Sequence, residues 1–189
     1  ISSDGNYAIV GARREDTGGS SAGSAYIFTR SGSTWTQQAK IQSSEVQAND
    51  FLSESLSINS DGTYVILGAP NEDGGAGNPI ANAGAAYVFT RSGSTWTEQA
   101  ILRASDPSAQ NYFGQSVSIN PDATYAVVGS SGVGAAYVFT RSGSTWTQQA
   151  KIVSSDLQAG DQYGISVSIN SNGTYVIVGA NYEYGGAGD

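Results

Sequence analysis

The side chains in this chain that could do chemistry are mostly carboxylates on glycine-rich stretches. Glu15-Asp16 and Glu72-Asp73 each sit among glycines, Glu183 lies in a third such stretch, and the carbonyls of Asn71 and Asn78 are close by in sequence. Carboxylate and carbonyl oxygens are what a hard cation such as calcium binds, provided several converge on one point. Two carboxylates without a third make a poor cage, so Glu15, Asp16, Asn71, Glu72 and Asp73 read first as solvated loop tips, and no resident cofactor is expected. Trp35, Trp96 and Trp146 have aromatic faces that could stack on sugar rings, but their recurrence at one phase of a repeat favours packing. Asn172-Gly173-Thr174 is the sole match to the N-glycosylation pattern but reads first as a hairpin turn with Asn chosen for its backbone.

The rest of the composition removes chemistry. The 189 residues include no His and no Cys, so imidazole proton transfer, thiol nucleophiles, disulfides and ordinary zinc sites are excluded. Eight basic residues against 16 acidic ones give a net charge of −8, and no basic run exists to neutralise nucleic-acid phosphates or an anionic membrane. No apolar stretch reaches the roughly 20 residues that span a bilayer, so no membrane insertion is expected of this segment. A chain without Met that opens in mid-pattern at Ile1 is expected to be a piece of something longer.

The elements that must position these residues announce themselves by repetition. Ala25 to Thr36 returns almost unchanged as Ala86 to Thr97 and Ala136 to Thr147. Ser57 to Gly68 recurs from Ser118 and from Ser168, and its tail opens the chain, so that Tyr7, Tyr64, Tyr125 and Tyr175 mark equivalent points. The unit is about 56 residues long. Trp35 to Leu52, Trp96 to Phe113 and Trp146 to Tyr163 are each 17 apart. Length variation is confined to the glycine-rich loop, long at Pro70 to Gly84 and shrunken at Ser130 to Val133, as surface loops on a repeated frame behave.

Within the unit every signal is β. Ala-Tyr-Val-Phe-Thr leads through Ser-Gly-Ser into Thr34 to Ile41, where alternation predicts Trp35, Gln37, Ala39 and Ile41 on one face against Thr36, Gln38 and Lys40. A second hairpin joins Ser55 to Asn59 with the apolar run Tyr64 to Leu67 through Ser60-Asp61-Gly62. Asp122-Ala123 puts a non-glycine where the equivalent turns have Gly, which predicts strain there. Four short strands, two of them apolar on both faces, describe a sheet sandwiched between copies of itself. The expected fold is all-β, made of four-stranded antiparallel blades of a β-propeller, in one array over 1–189 with approximate units 1–24 (partial), 25–85, 86–135 and 136–189.

These residues resemble the FG-GAP repeat of integrin α-subunit propellers and of bacterial, phage and giant-virus surface proteins. Phe113-Gly114 and Tyr163-Gly164 match the first dipeptide, Gly68-Ala69-Pro70 matches the tripeptide, and Gly11-Ala12-Arg13 and Gly179-Ala180-Asn181 come near it. Leu52-Ser53 and Gly129-Ser130-Ser131 depart from it. The resemblance implies a propeller of about seven blades, against roughly 3.4 units here, so the ring is incomplete in this chain. Further blades from a longer sequence are the favoured completion, and several copies the other. The resemblance also implies a calcium loop between the motifs, but that place holds a short turn with one acidic residue or none, as in Asn59 to Thr63 and Asn170 to Thr174.

A sialidase-like glycosidase fits poorly. Gly32-Ser33-Thr34-Trp35 resembles the end of the Asp-box turn of that family, but Arg30 stands at the diagnostic acidic position, and no pair of carboxylates stands out for hydrolysis. The expected function is non-enzymatic: an extracellular, cell-surface or virion-surface repeat protein acting in adhesion or as a structural assembly unit. Its partner would be a protein or glycan ligand, or further copies or blades of itself, with no nucleic acid. A lectin-like propeller and a ligand-free filament or fibre subunit are the alternatives.

Overall fold

The computed structural model describes residues 1–75, 77, 79–158 and 160–182. They contain thirteen strands and no helix: β1 (Tyr7–Ala12), β2 (Ser24–Ser31), β3 (Thr34–Ile41), β4 (Ser55–Ile58), β5 (Tyr64–Ala69), β6 (Ala85–Ser92), β7 (Thr95–Leu102), β8 (Phe113–Ile119), β9 (Tyr125–Ser130), β10 (Ala135–Ser142), β11 (Thr145–Ile152), β12 (Ser166–Ile169) and β13 (Val176–Gly179). All pairings between them are antiparallel between sequence neighbours, and they make four sheets. Sheets II (β4-β5-β6-β7) and III (β8-β9-β10-β11) have four strands, sheet I (β1-β2-β3) lacks the first, and sheet IV (β12-β13) has the first two. The sheet therefore starts at the Ser-rich strand. The boundaries at 25, 86 and 136 fall between the second and third strands of a sheet, so the sequence repeat and the sheet share a period and differ in phase.

Sheets II and III bury both faces against their neighbours, which is why their second strands are continuously apolar. Ile9, Ile27, Val65, Leu67 and Tyr87 fill the layer between sheets I and II. Ile66, Val88, Phe113, Val128, Tyr137 and Phe139 fill the next, with Phe113 edge-on to Tyr137 at 5.4 Å and to Phe139 at 6.0 Å. Val127, Val138, Val167 and Val178 belong to the third. The first strands β4, β8 and β12 line up along the inner edge, and their serines stitch them together. Ser55 Oγ donates to the Gly114 carbonyl and Ser116 Oγ to that of Gly164, both at 2.8 Å. Ile119 and Ile169 N–H groups donate to Ser57 and Ser118 Oγ. The result is an open arc of blades of the expected all-β class.

The predicted face of Thr34 to Ile41 needs correction. Pairing runs Phe28↔Gln37 and then Ile27↔Ala39, which leaves Gln38 as an extra residue in β3, and sheets II and III carry the same irregularity beside Val88 and Val138. Such a bulge shifts the alternation. Ala39 and Ile41 consequently pack toward sheet II, and Gln38 turns the same way to accept a hydrogen bond from Trp96 Nε1 at 3.2 Å, whereas Trp35 looks to the other side and is 39% exposed. Trp146 Nε1 repeats that bond to Gln99 at 3.1 Å. Trp96 and Trp146 are thus packing residues of the blade interfaces. Ala123 has φ +55, matching Gly5, Gly62 and Gly173 at +67 to +73, so the turn without glycine does carry a side chain in the left-handed region.

Candidate recognition surface

Antiparallel order puts two sets of connections at one end of the sheets. The loops after the second strands (13–23, 70–84 and 131–134) and the linkers from each fourth strand to the next first strand all emerge there. The short hairpin turns occupy the other end.

At the loop end the loops of sheets I and II are each clipped to the linker that follows. Leu52 N donates to Ala22 O, Phe51 N to Ser21 O and Asn49 N to Ser20 O. Phe113, Tyr112 and Gln110 repeat this on Ala83, Asn82 and Ala81. Phe51, Tyr112 and Gln162, which occupy one equivalent position, have φ +55, +52 and +56, a conformation that costs a side chain of that size energy. Just after it comes the close contact that the glycines permit. An ideal Cβ on Gly68 would sit 1.9 Å from the Gly114 carbonyl oxygen, and one on Gly129 2.0 Å from that of Gly164. Adjacent blades therefore touch backbone to backbone at this end.

The acidic candidates lie on these loops and are turned to loop-building. Glu15 accepts from Thr17 N, Thr17 Oγ1 and Ser24 Oγ and pairs with Lys40 at 2.9 Å. Those partners, Thr17 first and Lys40 next, hold its carboxyl down at about 2. Asp16 accepts from Ser21 N. Glu72 is buried, accepts from Gly74 N and Gly75 N, and pairs with Arg103 at 3.1 Å; Asp73 accepts from Asn82 N. Asp50, from the neighbouring linker, is buried too. Burial pushes its carboxyl up to about 6, against the pull of the Gln47 N–H and with the help of the charges on Glu72 and Asp73. Among the described residues no group of three or more His, Cys, Asp or Glu is arranged to hold a metal ion. A cation at Glu15-Asp16 or Glu72-Asp73 would have to displace hydrogen bonds that shape the loop. Glu183 and Asn78 lie outside the described residues.

The turn end has no cation cage either. Asn59 Oδ1 accepts from Thr63 N and Tyr64 N, and Asp61 Oδ1 from Thr63 N and Oγ1. Burial raises the Asp61 carboxyl, but the Thr63 hydrogen bonds outweigh it and leave it below its ordinary range. Asn172 is exposed in the equivalent turn of sheet IV, its Oδ1 taken by Thr174 N and Oγ1 and by Asn170 Nδ2.

What the loop end does offer is a groove of about 400 Å³ across sheets II, III and IV. Asn71, Tyr112, Gln115, Ser131 and Gln162 line it. It exists because the loop of sheet III is only four residues long where that of sheet II has fifteen. Its lining is amide, hydroxyl and phenol with the apolar side chain of Ile165, and no carboxylate or cation is part of it. Of these residues the sequence analysis singles out only Asn71, and for another role. The signal available was the residue before the Phe-Gly dipeptide, which changes from Phe51 to Tyr112 to Gln162 while its surroundings hold.

With this geometry in view, comparisons with known proteins are informative about the fold. The FG-GAP repeat matches residues 1–28, 35–89, 96–139 and 146–189. No curated protein matches. Among solved structures, one from Bacteroides uniformis, described as a "putative 6-phosphogluconolactonase", superposes with a TM-score of 0.63 at 11% identity, covering 95% of this chain and 48% of that one. Another with the same description, from Bacteroides fragilis, gives 0.55 at 14% identity, covering 81% of this chain and 37% of that one. The chain thus spans less than half the length of either structure.

Proposed function

The chain belongs to the FG-GAP repeat family, and from that premise we propose that it is a non-enzymatic recognition module of an extracellular, cell or virion surface, binding a protein or glycan ligand at the loop end of its blades. The observation that carries this reading is the groove at Tyr112. It is bordered at Asn71 and Ser131 by the loops that differ in length between otherwise equal blades, and its linker residues change from blade to blade while the frame does not. An uncharged lining of amides, hydroxyls and one aromatic ring suits a hydroxyl-rich, neutral ligand, which favours the glycan among the two classes. A surface poor in charge and rich in Ser, Thr and Gly supports the extracellular placement. The groove itself is lined by no carboxylate that could act as a general base, which favours binding over hydrolysis at this place.

The test is a glycan array with a parallel panel of immobilised surface proteins, probed with the chain and with Tyr112→Ala. Binding by the chain that drops at least about tenfold in the variant, equivalent to about 1.4 kcal/mol, supports the reading. Binding to neither panel sinks it and leaves the fibre-subunit reading.

A further inference from the structure

The tight turn that leads into the second strand of each sheet is built four times on one plan. Asp4, Asp61, Asp122 and Asn172 each turn their Oδ1 back to accept from the N–H two residues on, at 3.0, 3.0, 3.0 and 3.2 Å. In the last three turns the Thr there adds its hydroxyl, at 2.5, 2.6 and 2.6 Å. Sheet IV alone makes this cap with an amide, and the residue that follows is Gly173, so Asn172-Gly173 is the sole Asn-Gly pair in the sequence. The fold fixes the glycine as firmly as the cap fixes the asparagine. Gly173 has φ +73, and an ideal Cβ on it would lie 2.3 Å from the ring of Tyr125 in the preceding sheet. Asp61 and Asp122, in sheets with a neighbour on either side, are exposed as Asn172 is. The exposure therefore belongs to the turn end of every blade and not to the end of the array.

An asparagine followed by glycine is chemically labile because no side chain hinders the approach of the glycine nitrogen to the amide carbon. Attack joins Gly173 N to Asn172 Cγ and breaks the bond from Cγ to Nδ2, which leaves as ammonia with the proton that Gly173 N gives up. Water then opens the cyclic imide at one of its two carbonyls. Opening between Cγ and Gly173 N gives Asp, and opening at the main-chain carbonyl gives isoaspartate, whose main chain is one carbon longer. The closed turn opposes the first step. Gly173 N–H donates to Asn170 O at 3.1 Å, and Asn172 Oδ1 is held by Thr174 N, Thr174 Oγ1 and, at 2.8 Å, Asn170 Nδ2. The nitrogen must lose its acceptor and the amide its donors before the two can meet.

We propose that Asn172 is a modification site gated by its own turn: it keeps its amide while the turn is closed, and cyclisation followed by water converts it to Asp or isoaspartate when the turn opens. Asp is the product that the frame accepts, since Asp61 and Asp122 make the same two bonds to their Thr. Isoaspartate lengthens the main chain inside a turn whose glycine is pressed against Tyr125. Conversion adds one negative charge to the −8 of the chain, at the end of the sheets opposite the groove. The inference is independent of the groove at Tyr112.

The test is peptide mapping by mass spectrometry of the chain held in mildly alkaline buffer, either folded or unfolded in urea. Asn172 is expected to convert at least about tenfold more slowly in the folded chain than in urea. Thr174→Val removes the hydroxyl donor and should speed conversion in the folded chain while leaving the rate in urea unchanged. Asn172→Asp should melt with the parent. Far-UV circular dichroism verifies that each variant is folded, and the parent's ratio of folded to unfolded rates decides the matter if Thr174→Val does not fold. Equal rates in the folded chain and in urea overturn the proposal, as does an Asn172 that keeps its amide in urea. So does a folded Thr174→Val that converts no faster than the parent, or an Asn172→Asp that melts well below it.

Discussion

At the scale of single residues, the backbone contact between blades is the most exacting feature. Gly68 has no space for a methyl group against the Gly114 carbonyl, so Gly68→Ala must push two sheets apart, at a cost of about 3 kcal/mol or more, read as a lowered denaturation midpoint. Gly32→Ala serves as the contrast: nothing lies within 4 Å of its added methyl, and its φ of +60 costs only about 1 kcal/mol. Titration belongs to this scale as well. The Asp50 carboxyl, at about 6, lies above its ordinary 3.8, so the folded chain holds a proton that the unfolded chain releases, and stability falls as pH rises from about 4 to about 6. Glu15, at about 2 against an ordinary 4.5, acts oppositely: its contribution is complete above 4.5 and is lost as pH falls toward 2. Urea midpoints should therefore peak near pH 4 to 5, and Asp50→Asn should raise the midpoint at pH 7 while leaving it unchanged at pH 4. A profile in Asp50→Asn that matches the parent at both pH values would refute the assignment. The glycines of the contact were legible in the sequence as a recurring motif. The burial of Asp50 was not, because it follows from a linker folding under the loop of the next blade.

At the scale of elements, the four-strand unit, its two hairpins and their turns could be read from the repeat, since aromatic and β-branched runs alternate with Asp-Gly and Ser-Gly pairs. The bulge at Gln38 could not, because alternation in sequence does not record which residue the partner strand skips. Nor could the left-handed backbone of Tyr112, whose N–H reaches the Asn82 carbonyl of a loop some thirty residues away. The serines of the inner strands lie where blades converge. Ser118 is half-buried on β8 and accepts the Ile169 N–H of β12. Ser118→Leu should then overpack this seam and cost about 1–3 kcal/mol, while an unchanged melting temperature would place the strand on a roomier rim.

At the scale of the whole molecule, the charge of −8 makes copies of the chain repel one another, and that repulsion should fade as salt rises to about 0.15 M, where the Debye length is about 8 Å. Light scattering across a salt series checks this; a repulsion that does not change with salt would mean that net charge does not set it. The array and its open ends were legible from counting units. Which faces are left bare was not, because that depends on the phase at which strands gather into sheets. The third and fourth strands form one hairpin, nearly identical from Ala25, Ala86 and Ala136, and each pairs with a second strand of nearly the same pattern. A refolding chain thus meets four almost interchangeable second strands, β1, β5, β9 and β13, for every hairpin. Correct pairing is selected by the reach of the connecting loop, and a chain refolded at high concentration will trade hairpins between molecules before it sorts them.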